Sequence, residues 1–153
     1  MTPFLTADLK VCEGFRARAY PDPDSELAKT GQGSGAPWTI GYGHCGLDVH
    51  PGLEWTEDQA CEALRQDIAT AVAGLDKALP WWRSLNDPRQ DVFVQLAFNM
   101  GIHGLLEFKR MLGFAKSGAF DKASVELLNS TWASQVKTRA WRLASQLRTG
   151  LRP

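Results

Sequence analysis

The chain has 153 residues, 44% of them hydrophobic, and its 17 basic and 17 acidic side chains cancel to a formal net charge of zero. That is enough chain to bury a core as one domain, or as two lobes sharing a helix; no nucleic-acid partner and no cofactor are expected. Three cysteines, an odd and sparse set, exclude a disulfide scaffold, and no stretch approaches the roughly 20 apolar residues of a membrane-spanning helix.

Thr2-Pro3 predicts an N-cap with proline at the first helical position, and Phe4, Leu5, Leu9 and Cys12 recur at helical spacing up to an end near Glu13-Gly14. The start, MTPFLTADLKVCEGF, lacks a basic segment followed by an unbroken apolar core, so no secretory signal is expected. Residues 15–21, FRARAYP, alternate as an exposed strand does, and residues 38–43 read as the partner strand. Between them PDPDSELAKTGQGSGAP is dense in Pro, Gly, Ser and Asp, which predicts a long hairpin connection or overhanging loop.

Thr56-Glu57-Asp58-Gln59 is a capping-box pattern; Cys61, Leu64, Ile68, Val72, Leu75 and Leu79 then repeat every three or four residues until Pro80. Such a helix is roughly 35 Å long and suits a lobe connector. Asp87-Pro88, with Gln90 three residues after the cap, opens a helix carrying Val92, Phe93, Leu96 and Met100 and closed by Gly101. Shorter helical patterns follow at about 105–117, 119–129 and 137–148, punctuated by Gly118, Trp132 and Gly150. The expected fold is α+β: a β-hairpin lobe at about 14–55, a connecting helix at about 57–79, and a helical lobe at about 80–153 joined by the N-terminal helix. Cys12 and Cys61 fall on apolar helix sides, which predicts buried thiols.

The charges are not evenly mixed. Residues 1–79 carry 6 Lys/Arg against 12 Asp/Glu, and residues 80–153 carry 11 against 5. Lys137, Arg139, Arg142, Arg148 and Arg152 form a basic run without an acid, which reads either as contact with an anionic partner or as a solvated helix face.

Glycoside hydrolysis needs one carboxylic acid to protonate the leaving oxygen and a second group to activate water or stabilise the developing cation. Glu13, at the end of an apolar helix, and Asp22, nine positions on, suit those roles. Thr39, inside WTIGYGH, has a hydroxyl able to orient a water, and the glycines beside it permit close approach. In the second half Phe98, Asn99 and Trp132 are candidate sugar contacts, since amides and aromatic rings grip polar rings; core packing is the competing reading. Two other patterns are weak. GYGHCG matches G-x-G-x-x-G with no helix start behind it, and His44, Cys45, His50 and Cys61 match no common zinc spacing, so no metal is expected.

Glu13-Gly14-x-Arg16, then Ala19-Tyr20-x-Asp22, then Thr39-Ile40-Gly41-Tyr42-Gly43-His44, resembles the bacteriophage-type lysozymes, the endolysin muramidases of glycoside hydrolase family 24. The likeness continues through FNMG at 98–101, Trp132, Arg139-Ala140 and LRTG at 147–150. It implies a two-lobe lysozyme fold and hydrolysis of the β-1,4 bond between N-acetylmuramic acid and N-acetylglucosamine in peptidoglycan. It implies Glu13 as general acid, and Asp22 and Thr39 holding the water that inverts the anomeric carbon. Arg139 matches a family arginine expected near the catalytic glutamate, and His44 a histidine in the lobe core. A lytic transglycosylase and a non-catalytic wall-binding module are the alternatives. A monomer is expected, held in the host cytoplasm until a separate holin opens a route to the wall. The sixteen residues between Asp22 and Thr39 exceed the shortest family hairpins, and Asn99 and Thr131 depart from residues often found there.

Overall fold

The structure, a computed structural model, describes residues 2–152. The chain divides into two compact units. One runs from Thr6 to Ile68; the other takes Ala69 onward together with the first residues through Leu5. The N-terminal helix and the long connecting helix each contribute to both.

In the first unit, helix α1 (Pro3–Glu13) ends where Gly14 adopts φ 68 and returns its N–H to Lys10 O at 3.0 Å, the left-handed stop that glycine supplies without a Cβ clash. Strands β1 (Arg16–Pro21), β2 (Trp38–Gly41) and β3 (His44–Cys45) form an antiparallel sheet in that order. The expected hairpin thus gains a third strand, whose two residues are too few to show an alternation. Register between β1 and β2 slips between Arg16 and Tyr20, and Arg18 between them forms a bridge with Glu54. Trp55 N–H donates to Ala17 O and Ala19 N–H to Leu53 O.

The segment between Asp22 and Thr39 is not an open loop. It folds into helix α2 (Glu26–Thr30), started by Ser25, whose hydroxyl accepts from Ala28 N, and stopped by Gly31 at φ 77. Leu27 N–H then bonds Ser34 O, and Gly35 packs so closely on Pro21, Trp38 and Leu27 that no side chain fits. Five residues carry too little periodicity to be read against a Pro/Gly-rich background.

Helix α3 (Glu57–Ala78) opens with the expected capping box: Thr56 N–H donates to Gln59 Oε1 at 2.9 Å and Gln59 N–H to Thr56 Oγ1 at 3.3 Å. Leu64, Ile68, Leu75 and Leu79 are buried as the spacing predicts. Cys12 and Cys61 are only half-buried and Cys45 is exposed; all three thiols are free, a correction to the expected burial.

In the second unit a 3-10 helix (Pro80–Ser84) precedes α4 (Asp87–Leu106). Asn86, not Asp87, is the cap: it is extended, and its side chain accepts from Arg89 N. Residues 91–97 of α4 are buried all round, the mark of a central helix. Gly101 (φ 75, ψ 162) leaves helical geometry where the sequence predicts a stop, and a short second helical stretch continues to Leu106. Helices α5 (Lys109–Lys116), α6 (Phe120–Leu128), α7 (Thr131–Val136) and α8 (Thr138–Thr149) follow. Trp132 lies inside α7, capped by Ser130, and does not interrupt the helical pattern as the sequence suggested.

The basic run is not a uniform surface either. Arg152 is paired with buried Asp91 at 2.8 Å, Asp91 also accepts from Thr2, and Arg139 and Arg142 are half-buried. Lys137, Arg148 and Arg152 are its exposed members.

Candidate active site

Glu13 ends α1, and its carboxylate lies against the turn between β2 and β3: a methyl group built on Gly43 would stand 3.1 Å from Glu13 Oε2. Thr39 stands directly opposite Tyr20 in the β1–β2 ladder. Burial raises the Tyr20 phenol above its ordinary pKa; the Arg16 guanidinium, 5.9 Å from the ring centroid, opposes the rise, and the neighbouring Glu13 charge adds to it. Opposed residues share a face of an antiparallel pair, and side chains alternate along a strand, so Tyr20, Asp22 and Thr39 fall on one face. Asp22 extends the pairing one step past β1. Its N–H donates to Gly35 O and Pro37 O, and its Oδ1 accepts from Asp24 N at 2.6 Å. Glu13, Asp22 and Thr39 thus belong to one unit and are half-buried, neither locked in a core nor free in solvent.

The turn that supports Glu13 is specified by glycine. Gly41 (φ 66) and Gly43 (φ 80) flank Tyr42, whose hydroxyl donates to Glu57 Oε1 at 2.7 Å and whose ring meets Phe15 at 5.7 Å. Gly43→Ala forces a side chain into left-handed backbone and presses on the Glu13 carboxylate. The expected outcome is a stability loss of about 1 kcal/mol or more, checked by denaturant titration. An unchanged stability would contradict the strain assigned to this turn.

Behind the turn, His44 Nδ1 bonds Asp67 Oδ2 at 2.8 Å and Nε2 faces Asp48 Oδ2 at 3.2 Å, with Trp55 against the ring at 5.3 Å. Burial pulls the imidazole pKa down, but the hydrogen bonds and charges of Asp67 and Asp48 together outweigh it, and the net shift is upward from 6.5. A raised folded pKa means that protonated His44 stabilises the fold fully below its unfolded value and that this contribution is lost as pH rises through the folded value. His44→Asn should therefore lower the melting temperature at pH near 6 and converge on the wild type at alkaline pH; a gap independent of pH would contradict this.

In the other unit, Asn99 is exposed and its Oδ1 accepts from Trp132 Nε1 at 2.7 Å. Trp132 is mostly buried, with one side on a groove of about 430 Å³ shared with Met100, Gly104, Phe108 and Gln135. Phe98 is half-buried on α4, and Arg139 half-buried on α8. Structure joins Asn99 to Trp132, 33 positions apart in sequence.

Reading the sequence missed Tyr20 as Thr39's partner, although it lies inside the AYxD motif. Asp67 it missed for want of any signal, since nothing local ties a helix residue to a histidine 23 positions earlier. Among the described residues no three His, Cys, Asp or Glu side chains gather as metal ligands would.

Residues 10–146 match the family described as "Phage lysozyme". The chain belongs to the phage lysozyme family. Among its relatives, the endolysin of Bacillus phage B103 is 35% identical over 120 residues, covering 78% of this chain and 41% of the relative. The endolysin of Bacillus phage PZA is 32% identical over 118 residues, covering 77% and 41%. The pre-baseplate central spike protein of Enterobacteria phage T4 is 31% identical over 98 residues, covering 62% and 17%. This phage lysozyme chain spans about two fifths of the length of the two endolysins. Its α+β architecture, a small antiparallel sheet with a larger helical part, is the one that the sequence led us to expect.

Proposed function

We propose that this chain is a peptidoglycan muramidase that cleaves the β-1,4 bond between N-acetylmuramic acid and N-acetylglucosamine and serves host lysis as an endolysin. The observation that carries the reading is the seating of the Glu13 carboxylate against the β2–β3 turn, beside the Tyr20–Thr39 pair. A carboxyl held there can deliver a proton to a glycosidic oxygen. Asp22 and Thr39, which share a face of the sheet, offer a charge and a hydroxyl to hold a water for attack from the opposite side of the sugar, which inverts the anomeric carbon. Tyr20 stands beside Thr39 across the ladder. In the helical unit, the exposed Asn99 amide and the Trp132 groove suit polar and ring contacts with the glycan, and Phe98 and Arg139 are assigned as further substrate contacts. Acting as a monomer, the protein would reach the wall from the host cytoplasm through a lesion made by a separate holin.

The test is proton NMR of a soluble chitooligosaccharide or muropeptide digest during the first minutes of reaction. The α anomer in excess before mutarotation is the expected result. A fresh β anomer would refute inversion, 1,6-anhydro ends would replace hydrolysis by transglycosylation, and binding without turnover would leave a wall-binding module.

A further inference from the structure

Lys10 and Cys61 belong to the same unit and stand 51 positions apart in sequence, yet Lys10 Nζ lies 2.8 Å from Cys61 Sγ. Sulfur is larger than oxygen, so an N–H···S contact ordinarily lies farther out than the N–H···O mode of about 2.9 Å. This pair is closer, at a separation that a single bridging atom spans. Both side chains are half-buried, which leaves them reachable by a small oxidant while restricting larger thiols. Their surroundings hold them in place. The Lys10 ammonium lies 5.1 Å from the Tyr42 ring centroid, the Tyr42 hydroxyl is tied to Glu57 at the start of α3, and both partners project from helices. The hydrogen bond to Cys61 leads the causes that raise the Lys10 pKa, followed by opposing burial and by the charges of Cys61, Tyr42 and Glu57. Cys61 is a free thiol that the hydrolytic site does not use.

We propose that Lys10 and Cys61 are the two ends of an oxidative crosslink, an Nζ–O–Sγ bridge formed with hydrogen peroxide. In the first step the Cys61 sulfur attacks one peroxide oxygen, the O–O bond breaks, and the products are the Cys61 sulfenic acid and water. In the second, the Lys10 ammonium gives one proton to solvent, and another peroxide accepts two electrons as the resulting amine nitrogen bonds to the sulfenic oxygen. One N–H and the O–H proton leave with it, giving R–S–O–NH–R′ and two waters. Two equivalents of a dithiol return the thiol, the amine and one water, with two disulfides as the oxidised product. The bridge ties the last turns of α1, three residues before Glu13, to α3, and removes the cation above Tyr42.

Peroxide treatment followed by thiol alkylation, proteolysis and tandem mass spectrometry tests it on the full chain. The expected product is a Lys10 peptide joined to a Cys61 peptide, heavier than their sum by one oxygen less two hydrogens. Dithiothreitol should reverse it, and it should be absent from Lys10→Arg and from Cys61→Ser. The bridged protein should melt several degrees higher than the reduced form, since the link closes a long loop in the unfolded chain. Lys10→Arg keeps a cation beside Cys61, so it carries the test even where Cys61→Ser folds poorly. Cys61 recovered as sulfinic acid, or in a disulfide with Cys12 or Cys45, beside an unmodified Lys10 would overturn the proposal. So would a linked pair lacking the oxygen.

Discussion

Glu13→Gln is expected to lower the lytic rate by about two to four orders of magnitude, the usual worth of one positioned general acid or base, and to leave the melting temperature within a few degrees of the wild type. The reasoning is local. Glutamine has the shape of glutamate and fits beside Gly43 as Glu13 does, but it has no carboxyl proton to give. Glu13 is half-buried at a helix end, where a side chain of the same shape keeps the same packing. Initial rates of turbidity loss with purified cell walls, beside a thermal melt, separate the two effects. A parallel fall in both would mean that Glu13 is structural, and a retained rate would move the acid elsewhere. Tyr20→Phe provides the graded comparison: it keeps the ring beside Arg16 and removes the hydroxyl of the residue opposite Thr39, so a smaller rate loss is expected.

Trp82→Ala is expected to cost about 3–5 kcal/mol, the range for truncating a large buried aromatic, which is a large share of a domain's typical total of about 5–15 kcal/mol. Trp82 is 1% exposed, its indole N–H donates to Asp76 Oδ1 at 2.8 Å, and the Arg83 guanidinium lies 4.3 Å from its ring centroid while pairing with the same aspartate. The Arg83 hydrogen bond, then that of Trp82, hold the Asp76 carboxyl down at about 2. That depressed value gives a contribution present above the ordinary 3.8 and lost as pH falls toward 2. Trp82→Phe keeps most of the packing and removes only the N–H, so it should cost much less and raise the Asp76 pKa. Chemical denaturation measures the first effect and acid titration the second. Equal costs for the two variants would place the stability in the hydrogen bond and not in the ring.

What could be read in advance was whatever local chemistry writes into neighbouring residues. The α3 capping box lies within four positions, the α1 stop is a single glycine, and the buried stripe of α3 repeats every turn, so each left a mark in the sequence. The places of Glu13, Asp22 and Thr39 in the fold were legible for the same reason, because a helix end, a strand end and a glycine turn each have a signature. Long-range pairings had none. His44 with Asp67, Trp132 with Asn99, and Lys10 with Cys61 are set by how helices and strands pack, and no spacing rule foretells them. Two short elements, α2 and β3, fell below the length at which periodicity can be seen. In the basic run the charge was legible, but the pairing of Arg152 with a buried Asp91 was not.

The central claim is that Glu13 gives its proton while a water completes the cleavage. Digestion of purified sacculi in heavy-oxygen water, with mass spectrometry of the released muropeptides, tests it most directly. Wild type should yield reducing N-acetylmuramic acid ends that each carry one heavy oxygen, and Glu13→Gln should yield almost none. Unlabelled anhydro ends from the wild type, or labelled ends at an undiminished rate from Glu13→Gln, would contradict it.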